Sequence, residues 1–342
     1  MRRLLLPKPG VVEIVEAPRP TPGPGEIRVR PRVVGICGSD LHALAGDHPF
    51  IDLPCTPGHE VVGIVEELGS GVSGPPVGTP VLLEPNLVCG ECPYCRSGRY
   101  NLCEHLAVVG CQSPGAMADA FAAPAGRFHC VPDSLSDAAA ALVEPLSTAT
   151  HALRLAGDLS GRTVAILGGG SIGLLALVAA RAAGATAIAL SEPHEQKRRR
   201  AERLGASLTV EPAVEPVSTI RTAFGGRADV VFDCVSIQSS ISQAIALADK
   251  GGSVIVVGVA AGDVTIPLPI VQDREVLIQG SAMYVAEDVQ RAMDLMASGA
   301  VPVDELVTAT FPLDGGPKAF AAAASGDEVK VHLAVSAPRS AG

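Results

Sequence analysis

The chain has 342 residues, of which 47% are apolar, and its formal net charge at pH 7 is −10. That length exceeds one ordinary hydrophobic core and predicts two domains, while the acidic balance opposes a nucleic-acid partner because Lys and Arg supply most affinity for phosphates. Pro7 and Pro9 interrupt the apolar start, and no run reaches the ~18 apolar residues of a membrane span. We therefore expect a soluble cytoplasmic protein without a membrane partner.

Alternating apolar and polar residues predict β-strands in the first part of the chain. Beyond a first strand at the start, such patterns occupy 11–15, 26–34, 61–69 and 79–85. Pro- and Gly-rich turns separate them. Short strands with tight turns are typical of a small β-barrel, and we place this domain at 1–146.

The segment 35–60 concentrates reactive side chains. The candidate side chains in it are Cys37, Ser39, Asp40, Glu60, His42, His48 and His59. Because the segment is rich in Gly and Pro, we expect most of these groups on loops rather than on a helix face. A lone Cys is most often a small buried hydrophobe and a lone His a satisfied polar group, but a thiolate with an imidazole is also a ligand pair that Zn²⁺ prefers. Cys37 and His59 are therefore the first candidates for a catalytic zinc site.

Four further cysteines form the most specific pattern in the chain. Cys89, Cys92, Cys95 and Cys103 are separated by two, two and seven residues. Four thiolates on one loop at this spacing can converge on a closed tetrahedral zinc ion, which we favour over free thiols or disulfides. The acidic net charge opposes the alternative of a nucleic-acid-binding zinc ribbon.

A glycine-rich turn opens the second half of the chain. A buried apolar strand precedes it and an Ala- and Leu-rich helix follows, which is the setting of a dinucleotide-binding turn. The candidate cofactor-binding residues of the turn are Gly168, Gly170, Ser171, Ile172 and Gly173. The first glycine permits the tight turn, the second lets backbone N–H groups approach a pyrophosphate, and the third lets the helix pack on the strand.

Glu192, nineteen residues after Gly173, predicts the coenzyme. A carboxylate at this position accepts hydrogen bonds from the adenosine ribose and repels a 2′-phosphate, so we favour NAD over NADP. The basic run 197–200 offers a competing phosphate partner, which we interpret mainly as a solvated helix face while keeping Lys197 as a candidate contact. Val257 and Gly258, at the end of a later strand, complete the predicted cofactor site.

Alternating strands and helices continue beyond this turn. Strands are expected at 228–235, 251–259 and 274–284, with a helix at 238–248. The pattern predicts an α/β fold with a doubly wound parallel sheet at 147–284, whose last strand lies at the edge. Cys234 is expected to face the core. An amphipathic helix, a strand and a short disordered tail are expected within 285–342.

Three short motifs resemble one known family. GICGSDLH from Gly35, GHE from Gly58 and EPLS from Glu144 are similar to the zinc-dependent medium-chain alcohol and polyol dehydrogenases, in particular the sorbitol, threonine and butanediol dehydrogenase branch. The resemblance covers nearly the whole chain. It implies a GroES-like barrel as the catalytic domain, a Rossmann domain for NAD(P), and a C-terminal segment that returns to the first domain.

The same resemblance implies roles for individual residues. Cys37 and His59 would hold a catalytic zinc, Glu144 would approach it directly or through its water, and Glu60 would lie beside it as an outer or exchanging ligand. Asp40 would orient His59 through its other ring nitrogen. Ser39 and His42 resemble the proton relay of the family, whereas His48 has no counterpart and is expected at the surface. In that family the four-cysteine lobe is structural.

These observations predict a dehydrogenase with two zinc ions per chain that transfers a hydride from a secondary alcohol, polyol or diol to NAD. Zinc would lower the pKa of the bound alcohol. The alternatives are a zinc-free quinone or enoyl reductase of the same superfamily and a non-enzymatic binding protein that retains the fold. An exposed edge strand near 276–280 invites pairing between subunits, and the resemblance suggests a homodimer or homotetramer.

Overall fold

The computed structural model describes residues 1–336, and the tail expected to be disordered lies outside this range. The chain divides into two compact units. The first contains Met1–Glu144, Val285–Ala297 and the chain from Val303, and the second contains Pro145–Tyr284 and Ser298–Pro302.

The elements before the second unit are mainly strands. The strands are β1 Arg2–Leu5, β2 Glu13–Glu16, β3 Glu26–Ile36, β4 Glu60–Leu68, β5 Pro80–Leu83, β6 Asn86–Leu87, β7 Ala107–Val108, β8 Phe121–Pro124 and β9 Phe128–Cys130. The helices are α1 Gly38–Ala45, α2 Pro93–Arg96, α3 Asp137–Ala141 and α4 Val143–Ala156, with short 3₁₀ turns at Tyr100–Leu102 and Ala125–Arg127.

Strands and helices alternate in the second unit. The strands are β10 Thr163–Leu167, β11 Ala187–Ser191, β12 Leu208–Val210, β13 Ala228–Asp233, β14 Ala248–Val256 and β15 Leu277–Gly280. The helices are α5 Ser171–Ala182, α6 Glu195–Arg203, α7 Pro216–Phe224, α8 Gln238–Leu247 and α9 Leu268–Asp273. The chain then returns to the first unit through α10 Ala286–Ala297, α11 Val303–Leu306, β16 Val307–Pro312, a 3₁₀ turn at Leu313–Gly315, α12 Gly316–Ser325 and β17 Lys330–Ala334.

The first unit is organised by a seven-stranded sheet. Its strand order is β16-β17-β3-β4-β5-β9, and β8 pairs with β3. The predicted β-rich first domain is therefore confirmed. β17 pairs antiparallel with β3, which places the last strand of the chain beside the strand that leads into Cys37. Leu4, Ile27 and Phe320 are buried in the core of this unit.

The second unit contains a six-stranded parallel sheet. Its order, β12-β11-β10-β13-β14-β15, confirms the predicted doubly wound fold with β15 at the edge. Apolar side chains such as Ala165, Val231 and Ile245 are buried against the sheet. Cys234 follows β13 and is half-buried, and burial raises the pKa of its thiol to about 12.

One expectation about local structure is wrong. Ser39, Asp40 and His42 lie on α1, not on a loop. The reason is that Asp40 accepts the backbone N–H of Cys37 at the helix start, at 2.9 Å, and Gly46 lies after the last helical residue. Glycine and proline therefore mark the ends of this short helix instead of preventing it.

The close packing of α5 on β10 requires a glycine at position 173. A Cβ at Gly173 would lie 1.9 Å from the carbonyl oxygen of Gly168, so Gly173→Ala must push the helix away from the strand. We expect the free energy of unfolding to fall by about 1–3 kcal/mol, because this strain outweighs the ~1 kcal/mol gained from better helix propensity. Urea titration measures the change.

Gly226→Ala is the matched control, since a Cβ there meets no atom within 4 Å. We expect its stability to stay within about 0.5 kcal/mol of the parent. Equal urea midpoints for the two variants would contradict the packing argument.

Candidate functional site

The pairing of β3 with β4 brings the first candidate ligands together. Gly35, near the end of β3, lies directly opposite Glu60 at the start of β4. Cys37 follows β3 and His59 precedes β4, so an antiparallel pair places both at the same end of the sheet. The ligand atoms of Cys37, His59 and Glu60 all lie within 4.8 Å of one another.

Negative groups surround His59. Burial opposes its charged form, but Cys37, Asp40 and Glu144 more than offset burial and raise the pKa of His59 well above its ordinary value. Within the described part of the chain, Nδ1 of His59 and Oδ1 of Asp40 are buried without a hydrogen-bond partner. Cys37 is half-buried, whereas His59 and Glu60 are buried, and this set of sulfur, nitrogen and oxygen donors beside further carboxylates fits a Zn²⁺ ion.

Asp40 does not orient His59 in the expected way. Its Oδ1 lies 3.9 Å from Nδ1 of His59, which is too long for a hydrogen bond. Its other oxygen accepts the N–H of Cys37. Burial raises the pKa of Asp40, and the charge of His59 opposes that rise. Asp40 therefore fixes the backbone at Cys37 and acts on His59 through charge.

Lys330, a residue that sequence reasoning missed, holds Glu60. Its Nζ donates to both carboxylate oxygens of Glu60, at 2.6 and 2.8 Å, and to the carbonyl of Ile36 at 3.1 Å. The two side chains are only 3% and 1% exposed. Burial opposes the charge of Lys330, but Glu60 and Cys37 outweigh it and raise the pKa of Lys330. The pair spans 270 residues, so no local motif reveals it.

Glu144 lies in the first turn of α4 and is 7% exposed. Its charge helps raise the pKa values of His59 and Lys330. Among residues 1–336, the group whose ligand atoms lie within 4.8 Å of one another comprises Cys37, His59 and Glu60, without Glu144. A direct zinc bond from Glu144 therefore stays a prediction.

The two candidate relay residues share one helix. Ser39 and His42 are three residues apart on α1 and so lie on neighbouring positions of one face. Nδ1 of His42 lies 2.9 Å from Oδ1 of Asp47, a partner that the sequence analysis did not single out. His48, expected at the surface, is half-buried; its Nδ1 accepts the N–H of Phe50, and burial lowers the pKa of His48.

The four-cysteine loop is a second, separate cluster. The sulfur atoms of Cys89, Cys92, Cys95 and Cys103 lie within 4.8 Å of one another, and all four thiols are free. Backbone N–H groups point at the sulfurs, as in the 3.3 Å contact from Cys89 to Cys103. Such donors lower the pKa of Cys92 to about 6 and also lower the pKa of Cys103.

The pKa of Cys95 shifts in the opposite direction from those of Cys92 and Cys103. Burial and the neighbouring thiol of Cys92 raise the pKa of Cys95 to about 12. Four thiolates this close repel one another unless a cation lies between them. The tetrad of sulfurs with inward-pointing amides fits a closed zinc site, and it does not fit disulfides.

The glycine turn joins β10 to α5 at the carboxyl edge of the parallel sheet. Gly168 has φ of +98°, which a residue with a side chain adopts only with strain. Gly170 precedes α5, and a Cβ there would meet no atom within 4 Å, so the helix N-terminus with Ser171 and Ile172 is open to a ligand. These features fit a pyrophosphate.

The other predicted nucleotide contacts lie at the same edge. Glu192 follows β11, and one of its carboxylate oxygens accepts the N–H of Gly169 at 2.8 Å. Val257 and Gly258 follow β14, and their N–H groups donate to the carbonyl of Asp233. Lys197 lies half-buried on α6. Carboxyl ends of parallel strands are where dinucleotides bind in this fold.

None of the helices within residues 1–336 is long and apolar enough to cross a membrane.

Comparisons with known proteins identify the family of this chain. The family described as alcohol dehydrogenase GroES-like domain matches residues 23–133, and the family described as zinc-binding dehydrogenase matches 171–298. An L-idonate 5-dehydrogenase from Vitis vinifera is 36% identical over 304 residues, which covers 85% of this chain and 82% of that protein. A sorbitol dehydrogenase from Halalkalibacterium halodurans is 33% identical over 331 residues, with 95% and 96% covered.

A solved structure is similar throughout. A protein from Sinorhizobium meliloti, crystallised bound to NADP, is 35% identical and superposes with a TM-score of 0.91 over 98% of this chain and 99% of its own. The chain belongs to the zinc-dependent medium-chain alcohol and polyol dehydrogenase family. It is an oxidoreductase of alcohols or polyols, and the zinc-free reductase and binding-protein alternatives are not favoured.

The buried Lys330–Glu60 pair generates a second prediction. Lys330→Met leaves a buried carboxylate without its cation, and we expect the free energy of unfolding to fall by about 3–5 kcal/mol. Lys330→Met combined with Glu60→Gln should recover part of this loss, because no buried charge is then left unpaired. Guanidinium chloride titration measures both variants.

Lys318→Met is the control, since Lys318 is exposed on α12. Its effect should stay within about 0.5 kcal/mol. If Lys330→Met is no more harmful than Lys318→Met, the buried ion pair does not support this end of the sheet.

Proposed function

We propose that this enzyme oxidises a secondary hydroxyl of a polyol or a polyhydroxy acid, with NAD⁺ as the hydride acceptor. Relatives named for L-idonate and sorbitol support this substrate class. The observation that carries the proposal is the convergence of Cys37, His59 and Glu60 within 4.8 Å inside a buried, negatively charged environment.

Cys37 and His59 are proposed to hold the catalytic zinc, with Glu60 beside it and Glu144 approaching it directly or through water. When bound, zinc supplies the Lewis acidity that acidifies an alcohol, and the dinucleotide supplies the hydride acceptor. Lys330 neutralises Glu60 and holds both of its oxygens. That contact favours an outer position for the Glu60 carboxylate.

Ser39 and His42 are proposed to remove the alcohol proton. Ser39 is half-buried at the start of α1, whereas the side chain of His42 is 58% exposed. The Ser39 hydroxyl would accept the alcohol proton while releasing its own hydrogen toward His42. His42, held through Nδ1 by Asp47, would then release a proton to solvent. Asp40 keeps the backbone of Cys37 in place during this transfer.

The structural zinc is assigned to the lobe of Cys89, Cys92, Cys95 and Cys103. All four thiols lie within residues 89–103, with Cys95 on α2, and a closed site there leaves no open position for a substrate. Residues 1–146 and 285–342 are proposed as the catalytic domain, a range that differs from the first unit at 145–146 and 298–302. Residues 147–284 are proposed as the nucleotide domain.

NAD is proposed over NADP because Glu192 places a carboxylate at the end of β11, where the adenosine ribose binds in this fold. Gly168, Gly170 and Gly173 would shape the turn around the pyrophosphate. Lys197, Val257 and Gly258 are proposed as flanking contacts. The Sinorhizobium meliloti protein bound to NADP shows that family members at this level of identity can take the phosphorylated coenzyme.

A homo-oligomer, either dimer or tetramer, is proposed through the edge strand β15. Leu277 on this strand is 54% exposed. Five other exposed apolar side chains precede Leu277 in the chain, namely Val259, Val264, Ile266, Leu268 and Ile270. An apolar edge strand favours pairing with a second copy. Cytoplasmic placement is proposed because all nine cysteines are free thiols, which a reducing compartment preserves.

Zinc content and turnover test the catalytic assignment. The purified enzyme should contain two zinc ions per chain, one for each ligand cluster, and reduce NAD⁺ with a polyol or polyhydroxy acid such as sorbitol or L-idonate. Cys37→Ser should lose one zinc and lower kcat/KM by about a thousandfold or more, roughly 4 kcal/mol of transition-state stabilisation. Elemental analysis and nicotinamide absorbance give both readouts.

Cys130→Ser is the matched control because Cys130 is an exposed thiol on β9 outside both clusters. It should keep both zinc ions and full activity. Cys103→Ser should lose the other zinc and lower the melting temperature. Normal turnover in Cys37→Ser, or retention of both ions, would refute the catalytic role of Cys37.

A further inference from the structure

His194 contacts the carboxylate of Glu192, the acid of the proposed nucleotide site, through both its backbone and its ring. Oε1 of Glu192 accepts the backbone N–H of His194 at 2.9 Å and contacts its ring Nδ1 at 2.7 Å. The other oxygen of Glu192 accepts the N–H of Gly169. The Glu192 side chain is 7% exposed and the His194 side chain is 65% exposed. A buried, clamped carboxylate thus lies under an exposed imidazole.

The contact with Glu192 determines which ring nitrogen of His194 carries a hydrogen. An ionised carboxylate only accepts hydrogen bonds, so Nδ1 of His194 carries a hydrogen. In the neutral ring Nε2 then has none, and the pair as a whole carries one negative charge. Protonation adds an N–H at Nε2 and makes the pair neutral. Histidine is the side chain whose ordinary charge change falls between about pH 5 and pH 8.

The neighbouring basic residues are engaged elsewhere. Nη1 of Arg198 donates to the backbone carbonyl of Glu192 at 2.8 Å, not to its carboxylate, and its Nη2 lies 3.8 Å from Glu211. On the same helix Arg199 pairs with Glu195.

Lys197 on α6 and Glu211 after β12 are further charged groups of the neighbouring elements, and the glycine turn contributes the backbone N–H of Gly169. The Glu192 carboxylate pairs with the ring of His194 at 2.7 Å.

We propose that His194 determines how strictly the enzyme rejects a 2′-phosphate, a proposal that rests on the dinucleotide site proposed above. With a neutral ring, Glu192 accepts a ribose hydroxyl and repels a phosphate. With a protonated ring, the pair no longer repels the phosphate, and the new N–H is a donor for a phosphate oxygen. Preference for the unphosphorylated coenzyme is therefore strongest above neutral pH and weakens as pH falls.

Binding of nucleotide fragments tests this without turnover. AMP and 2′,5′-ADP differ only by the 2′-phosphate and lack nicotinamide, and calorimetry gives their dissociation constants at about pH 6 and about pH 8.5. The ratio of the constant for 2′,5′-ADP to that for AMP should fall by about tenfold from the higher to the lower pH. A ratio that does not change with pH would overturn the proposal.

Variants distinguish the contribution of His194 to the pH dependence from that of the phosphate itself, whose second pKa is about 6. In His194→Gln, which retains a donor but no titrating charge, the change of the ratio with pH should shrink to the small contribution of the phosphate. In His194→Arg, a fixed positive charge should keep the ratio low at both pH values. His105→Gln, at an exposed histidine of the first unit, should behave like the parent.

An undiminished pH effect in His194→Gln, or a high ratio in His194→Arg at the upper pH, would assign discrimination to other groups and overturn the proposal. Absence of binding by both AMP and 2′,5′-ADP would overturn it together with the dinucleotide site. Failure of NAD⁺ reduction alone, with fragment binding and its pH dependence intact, would instead reject the proposed reaction.

Discussion

A buried ion pair between Lys330 and Glu60 supports the end of the sheet where Cys37 and His59 meet. Burying two charges costs several kcal/mol per ion unless geometry and additional hydrogen bonds compensate. Here Nζ of Lys330 uses its donors on two carboxylate oxygens and one backbone carbonyl. Gly35 contributes by having no side chain, since a Cβ there would lie 2.0 Å from Oε2 of Glu60. The final strand of the chain thereby becomes part of the candidate zinc site.

The two cysteine-containing sites differ in how the negative charge of their ligands is compensated. In the lobe, four sulfur atoms surround one point and backbone N–H groups stabilise the thiolate forms, so a bound cation is enclosed. At Cys37 the donors are chemically mixed, and Lys330 already neutralises one carboxylate of the set. A closed site of like ligands suits a structural ion, while an incomplete mixed set leaves a position for a substrate oxygen. The proposed difference in role, structural for the four cysteines and catalytic for Cys37 and His59, follows from the ligands and requires no difference in metal.

The features that the sequence predicts correctly are formed by residues that lie close to one another along the chain. The four cysteines lie within fifteen consecutive residues, and the glycine turn lies directly between its strand and its helix, so spacing alone predicts both. Alternating strands and helices also predict the parallel sheet and its edge strand. Lys330 was missed because its partner is 270 residues away, and Asp47 because a single carboxylate five residues beyond His42 has no distinctive pattern. The loop expected at 38–45 was wrong because a single acceptor, Asp40, is enough to start a short helix there.

The nucleotide edge shows why counting charges along a sequence misjudges specificity. The run 197–200 contains four consecutive cations, yet Arg198 donates to backbone carbonyls and Arg199 pairs with Glu195 on its own helix. Their charges are therefore partly compensated before any ligand arrives. Glu192 is a single acid, but it is buried and held by backbone donors, so its charge acts at a fixed place in a medium of low dielectric constant. One fixed carboxylate can consequently influence a phosphate more than Arg198 and Arg199, whose donors are already engaged.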